Sequence, residues 1–267
     1  MQCQKSSRQS KSSEGMKRII IYTISLFVAL SVSASPMSEE RWEAGNKAYI
    51  EGDYNKAIAE YHAILDGGEY SMNLYYNLAN AYFKTGAIGK SILYYNKALR
   101  IAPSQEDIRH NLAIAEAQTK DRITAIPEFF LNRWLRTVRN SMSCTAWSVL
   151  SLVSFGVLLA FALLFLLASP IRWRKIGFYG ALCALLLFVA LTSFAVSSRN
   201  DMLTHDEAIV MGTAISVKSS PDNSATDLFV LHEGTKVKVL SEVDEWCEVV
   251  IADGKKGWTL KNNVEEI

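Results

Sequence analysis

Histidine and cysteine are scarce in this chain, four of each in 267 residues, and neither is grouped. His62, His110, His205 and His232 form no HExxH or similar cluster, which argues against a metal site. Cys3, Cys144, Cys183 and Cys247 make no CxxC and no metal-ligand spacing. They read as small buried hydrophobes, and a redox pair between Cys144 and Cys247 would require a contact made only by folding. No nucleophile–base constellation or phosphate loop appears in any segment. The expectation is a chain that is not an enzyme and takes no cofactor. Net charge is also nearly absent: the formal value of +1 provides no basic face to match phosphates, so a nucleic-acid partner is not expected.

Charge is missing locally as well. No charged side chain stands between Arg139 and Arg172, nor between Lys175 and Arg199. Both stretches are dense in Leu, Phe, Val and Ala, and each exceeds the roughly 20 residues an α-helix needs to cross a bilayer. They predict transmembrane helices over 145–169 and 176–197, joined by a tight turn over 170–175. Two helices alone do not make a substrate channel. The expected organisation is an N-terminal extension and leader (1–34), a helical repeat region with a capping helix (35–120), an amphipathic juxtamembrane segment (121–144), the hairpin, and a small β-domain (206–267).

The segment Met16–Ala34 has the pattern of a secretory signal peptide: Lys17 and Arg18, an apolar core, then Val32 and Ala34 at the small-residue cleavage positions. Met1 and Met16 are both candidate starts, and both cleavage and retention as an anchor are open. No lipobox follows, because Cys3 precedes the apolar run. A leader followed by an even number of spans places both flanking modules outside the cytoplasm, with Arg172, Arg174 and Lys175 on the inner turn, as the positive-inside rule prefers. Arg133, Arg136 and Arg139 then flank the first span on the outer side. Phe130, Trp134, Leu135 and Val138 share a helical face there, which predicts an interfacial amphipathic helix.

Between leader and hairpin the sequence repeats. Gly52-Asp-Tyr-Asn-Lys-Ala57 and Gly86-Ala-Ile-Gly-Lys-Ser91 stand 34 residues apart. Gly45 with Ala79, Asn46 with Asn80, Tyr61 with Tyr95 and Leu65 with Leu99 keep the same register. This period, with small residues where helices cross, resembles the tetratricopeptide repeat. In the second unit Tyr75, Leu78, Ala79, Tyr82, Gly86, Ser91, Tyr95, Ala98 and Pro103 fall on that family's signature positions. One helical hairpin cannot bury its own apolar face, so units stack. Asp107–Thr119, with Ile108, Leu112 and Ala115 at helical spacing, is expected to cover the second repeat. The resemblance implies a partner-binding groove at Trp42, Asn46, Tyr49, Tyr76, Asn80 and Phe83. The alternative role for several of these is packing on the next hairpin. Asn46 and Asn77 fit the carboxylate-clamp variety, but Trp42, Asp107 and Asn111 stand where it needs Lys or Arg, so a chain-terminal carboxylate is not the expected ligand.

After Asp206 the pattern turns to short strands. Lys236–Leu240 alternates with period two, and Cys247, Val249 and Ile251 share one face. Turn residues at Ser220-Pro-Asp-Asn, Glu233-Gly and Asp253-Gly separate the runs. The order resembles a bacterial SH3-like (SH3b) barrel: Val217-Lys-Ser-Ser-Pro221, Gly234-Thr-Lys-Val-Lys-Val, Glu245-Trp246, and Asp253-Gly-Lys-Lys-Gly-Trp258. Ser220 replaces the family's glycine. The resemblance implies Trp246 and Trp258 as surface contacts for cell-wall peptide or protein. The alternative is that both tryptophans close the barrel, as a small β-domain needs.

The full expectation is a multidomain membrane protein: all-α tetratricopeptide hairpins, two transmembrane helices and a small all-β SH3-like barrel. That order resembles the BatE family of the Bat aerotolerance operon. The resemblance implies a non-enzymatic scaffold in the cytoplasmic (inner) membrane, with its modules on the periplasmic side. Its implied partners are von Willebrand A-type Bat membrane proteins and, indirectly, a MoxR-type ATPase; peptidoglycan is the alternative partner.

Overall fold

The computed structural model describes residues 36–127, 129–204 and 206–267. The extension and leader read over residues 1–34, with Cys3, and also His205, lie outside the described residues. Trp42–Ile267 cluster as one unit, and the account below concerns that unit.

Five helices form the repeat region: α1 (Pro36–Ile50), α2 (Tyr54–Asp66), α3 (Met72–Lys84), α4 (Ile88–Ile101) and α5 (Glu106–Glu116). Each hairpin turns at a glycine in the left-handed region, Gly52 at φ 84° and Gly86 at φ 80°, a conformation that costs a side-chain-bearing residue energy. Asp53 caps α2 by accepting from the Lys56 N–H at 3.1 Å, and Ser71 caps α3 by accepting from the Leu74 N–H at 3.1 Å. Gly45 lets α1 close on α2, since a Cβ there would meet the Tyr61 ring at 2.6 Å. Ala57, Leu78, Ala79, Ile92, Leu93 and Ala98 are completely buried where the helices cross.

The short helix α6 (Phe130–Arg139) leads into α7 (Cys144–Leu167), which Ser143 caps by accepting from the Ala146 N–H. The helix α8 (Ile171–Leu203) returns along it. Both are long and apolar enough to cross a membrane, by length and composition. The connection is shorter than the segment read from sequence: it is Ala168–Pro170, and Arg172, Arg174 and Lys175 stand in the first turns of α8. Gly177 and Gly180 let the helices touch, because a Cβ at either would come within 2.5 Å of Phe165 or Phe161. Higher up, the Ser151 and Thr192 hydroxyls hydrogen-bond across the pair at 2.7 Å. Outward, Leu152, Leu166, Leu167 and Leu186 are about two-thirds or more exposed, a surface suited to lipid rather than water. At roughly 1.5 Å per residue, the 33 residues of α8 are longer than a hydrocarbon core of about 30 Å, and its last turns are polar.

Seven strands follow: β1 (Glu207–Val210), β2 (Ala214–Lys218), β3 (Asp227–His232), β4 (Lys236–Val243), β5 (Trp246–Val250), β6 (Lys256–Leu260) and β7 (Val264–Glu266). They form one antiparallel sheet in the order β3-β2-β6-β5-β4-β1-β7. Val217, Leu231, Val237, Cys247 and Val249 fill its core. β1 is buried on both faces. Ala208 and Val210 point into the sheet's core, while Ile209 joins the core of the helical repeats together with Ile267. The β-module therefore covers the last hairpin of the array, a role the sequence assigned to the helix after it. α5 shares that role, burying Ile108, Leu112 and Ala115.

Candidate functional site

The candidate groove is built on the first helices of the hairpins, and an amide–phenol ladder sets its geometry. The Oδ1 atom of Asn46 accepts from the Tyr61 hydroxyl at 2.8 Å and from the Asn77 amide at 3.0 Å. Thirty-four residues later Asn80 accepts from the Tyr95 hydroxyl at 2.5 Å and from the Asn111 amide at 3.3 Å. Asn111 also donates to the Tyr76 hydroxyl at 2.9 Å. Each rung ties three helices together, and α5 takes the place of a third repeat's first helix. Tyr61 and Tyr95 are buried, which pushes the Tyr61 phenol up to about 12 and raises that of Tyr95 as well. Both stay protonated and donate.

Four of the six sequence-predicted groove residues come together. Tyr49, Tyr76, Asn80 and Phe83 line a cleft of about 300 Å³, with Lys84, Tyr95, Asn111 and Ile114 completing it. Asn46 and Trp42 do not line it. Asn46 is held by Tyr61 and Asn77, and the Trp42 ring leans on Tyr61 at a centroid distance of 5.8 Å. With its Oδ1 committed, Asn80 has its amide donors left to offer. The cleft thus presents aromatic walls and a hydrogen-bond donor, chemistry suited to an apolar side chain beside a backbone carbonyl. Sequence reading missed Tyr95, Asn111 and Ile114; the Asn–Tyr–Asn spacing repeated at 34 residues was the available signal.

On the β-module, Cys247 and Val249 of β5, and Gly257 and Thr259 of β6, point inward. Trp246 and Trp258 alternate with them, so both lie half-exposed on the opposite face. Trp258 stands between Lys218 of β2 and Glu248 of β5. Lys256 pairs with Glu248 at 3.3 Å on the same strands. The tryptophans form part of an outward face and are not members of the inner core.

The described cysteines are free thiols. Cys247 is buried against the Thr259 carbonyl at 3.6 Å, and burial pushes its thiol up to about 11, the nearby Glu242 adding to the shift. Such a thiol is a poor nucleophile. Cys144 lies on α7 with its sulfur 3.9 Å from the Ala195 carbonyl. Among the described residues no group of three or more His, Cys, Asp and Glu is placed to hold a metal ion.

Contacts unforeseen from the sequence lock the two modules together. Asp121, on the irregular link after α5, accepts from the His232 N–H at 2.8 Å and from Thr235 Oγ1 at 2.7 Å, and its other oxygen pairs with His232 Nδ1 at 2.7 Å. Burial alone would raise its carboxyl; the hydrogen bonds outweigh it and hold the group below the usual carboxylate range. Arg100 of α4 donates to the backbone carbonyls of Met202 at 2.7 Å and Thr204 at 2.8 Å at the end of α8, and to that of Ile267. One guanidinium thus joins the array, the second long apolar helix and Ile267 of the β-module.

Compared with known proteins, residues 73–105 match the tetratricopeptide repeat family and residues 213–265 match the bacterial SH3 domain family. The first match spans α3 and α4, and the second spans the sheet from before β2 through most of β7. Neither is an enzyme family: both modules are typically interaction or binding units. No curated protein matches the chain.

Proposed function

We propose that this chain is a non-enzymatic scaffold, anchored by α7 and α8 in the cytoplasmic membrane and holding protein partners outside the cytoplasm through the groove of its repeats. The observation that carries this reading is the open aromatic cleft of Tyr49, Tyr76, Asn80 and Phe83, on an array whose end is covered by its own β-module. The domain order supports membership of a BatE-type assembly, with von Willebrand A-type Bat proteins as direct partners and a MoxR-type ATPase as an indirect one. The leader-like sequence before residue 35 supports the periplasmic placement. Trp42 and Asn46 then act from behind the groove, as the packing and hydrogen-bonding support of its first rung.

A photo-crosslinking residue at Phe83 tests the reading in living cells. It should capture a Bat-type membrane protein, while the same residue at exposed Tyr70 should not. Equal capture from both positions, or none from Phe83, contradicts it.

The outward placement of Trp246 and Trp258 favours a second reading, a wall-associating protein whose β-module binds peptidoglycan and whose repeats space it from the membrane. Removing residues 206–267 does not separate the two readings, because it strips Ile209 and Ile267 from the array's core. Trp246→Ala with Trp258→Ala is the cleaner test: wall association should fall under the second reading and persist under the first.

A further inference from the structure

The helix α6 is short and uncovered. It has 10 residues, fewer than the roughly 12–15 below which an isolated helix is marginal in water. Its N-terminus has no side-chain cap, and none of its residues is buried. From Phe130 to Thr137 every residue is exposed. Phe130, Leu131, Trp134 and Leu135 share one face at helical spacing and are between 39% and 73% exposed, while Asn132 and Arg133 stand on the other. In water that apolar face would gain nothing by being helical, so its stability calls for a surface that covers it.

The C-terminal end of α6 fixes its height along the hairpin. Arg139, its last residue, pairs with Asp201 of α8 at 2.5 Å and donates to Ser197 Oγ at 3.1 Å. The Trp147 indole of α7 donates to the Arg139 carbonyl at 2.9 Å. Arg139 is also the last charged residue before the first uncharged stretch, and Asp201 closely follows Arg199, the first charged residue after the second. These groups therefore meet at the same end of both stretches. In a spanning hairpin that is the level where hydrocarbon gives way to headgroups and where tryptophan concentrates. Only residues 140–143 separate α6 from α7, which holds α6 at that level.

We propose that α6 docks on the membrane surface, with the face of Phe130, Leu131, Trp134 and Leu135 sunk into the headgroup–acyl boundary of the leaflet at that end of the hairpin. The proposal rests on the reading that α7 and α8 cross the membrane. The short connection to α7 makes the bilayer the occupant, because it brings every copy of the apolar face to the boundary where such a face is buried, and it leaves Asn132 and Arg133 toward water. Docking reaches the β-module as well. Just before α6 the Ile126 N–H donates to the Ala252 carbonyl at 3.0 Å, in the turn between β5 and β6. The leaflet, α6 and the β-module are thereby joined through a few residues.

Full-length protein in vesicles of phosphatidylcholine and phosphatidylglycerol, carrying a photo-crosslinking residue at one position and read by intact mass, tests this. Leu131 and Trp134 should give lipid adducts about fivefold or more above Asn132 and Arg133. Leu186, on the outward face of α8, reports on the spans. Adducts at Leu186 with none on α6, or equal yields at all four α6 positions, overturn the docking and leave the spans standing. No adduct at Leu186 defeats the membrane reading and the proposal with it. A crosslink from Trp134 to a second copy of the chain in place of lipid also overturns it, since another protomer then covers the face. Hydrogen exchange in the same vesicles gives an independent readout. Leu131→Gln with Trp134→Gln should speed exchange of the α6 amides about tenfold or more and leave α7 unchanged; unaltered exchange in α6 contradicts the proposal.

Discussion

The carboxylate of Glu233, in the turn between β3 and β4, accepts a hydrogen bond from the Gly89 N–H at 2.8 Å, across 144 residues of sequence. α4 has Ala87 as its N-cap residue and so has no side-chain cap of its own. The β-module supplies the missing acceptor and a negative charge at the positive end of the helix. Replacing Glu233 with Ala should lower stability by about 1 kcal/mol, and Gln should fall between. Thermal unfolding of the detergent-solubilised chain reads this. An unchanged midpoint for Glu233→Ala would mean that the modules do not stabilise each other through this cap.

The ladder rung at Asn80 makes a sharper prediction. Asn80→Ala leaves the buried Tyr95 hydroxyl without its acceptor, a loss of about 1–3 kcal/mol. Tyr95→Phe in the same chain removes the stranded hydroxyl, so the double variant should be more stable than Asn80→Ala alone. Additive losses would show that the two groups do not depend on each other.

The fold was legible where periodicity carried it. The 34-residue spacing, the two uncharged stretches and the alternation around Val249 each correspond to described elements. β1 was illegible for a physical reason: Ala208, Ile209 and Val210 are all buried because the strand lies between two cores, so no period-two pattern exists to read. Arg100, Asp121 and Glu233 were illegible because their partners lie over 100 residues away. Of the six positions taken from family register, Tyr49, Tyr76, Asn80 and Phe83 line one cleft. Family register could not distinguish Asn46 from Asn80, because each spends its Oδ1 on a tyrosine and a second asparagine, and only Asn80 also lines the cleft.

Acid should loosen the molecule in two stages. His62 lies half-buried, its Nε2 2.7 Å from the Tyr82 hydroxyl, and burial, followed by the Lys90 charge, lowers its pKa. The unfolded chain therefore takes up this proton first, and stability begins to fall as pH drops below about 6.5. Asp121 is shifted the other way in charge terms. Its contribution is complete above the ordinary carboxylate value of about 4 and is lost as pH falls through its lower folded value. His62→Gln should flatten the first stage and Asp121→Asn the second, read as unfolding midpoint against pH. A wild-type midpoint that stays flat from pH 7 to 5 would contradict the assignment to His62.

Cys247 should be inert. Its buried thiol, raised to about 11, should resist maleimide in the folded protein at neutral pH and react after denaturation, by intact-mass measurement. Replacing both Cys144 and Cys247 with Ser should leave partner binding intact. Loss of binding would point to thiol chemistry instead of a scaffold.

The central claim is that partners are held by the groove. Affinity purification of Bat-type membrane proteins with the wild-type chain, with Tyr76→Ala and Phe83→Ala together, and with Trp246→Ala and Trp258→Ala together tests it most directly. Desolvated aromatic anchors are worth about 2 kcal/mol or more each when truncated, so the groove pair should release the von Willebrand A-type partner while circular dichroism reports an intact helical array, and the tryptophan pair should retain it. A groove variant that stays folded and keeps every partner contradicts the account.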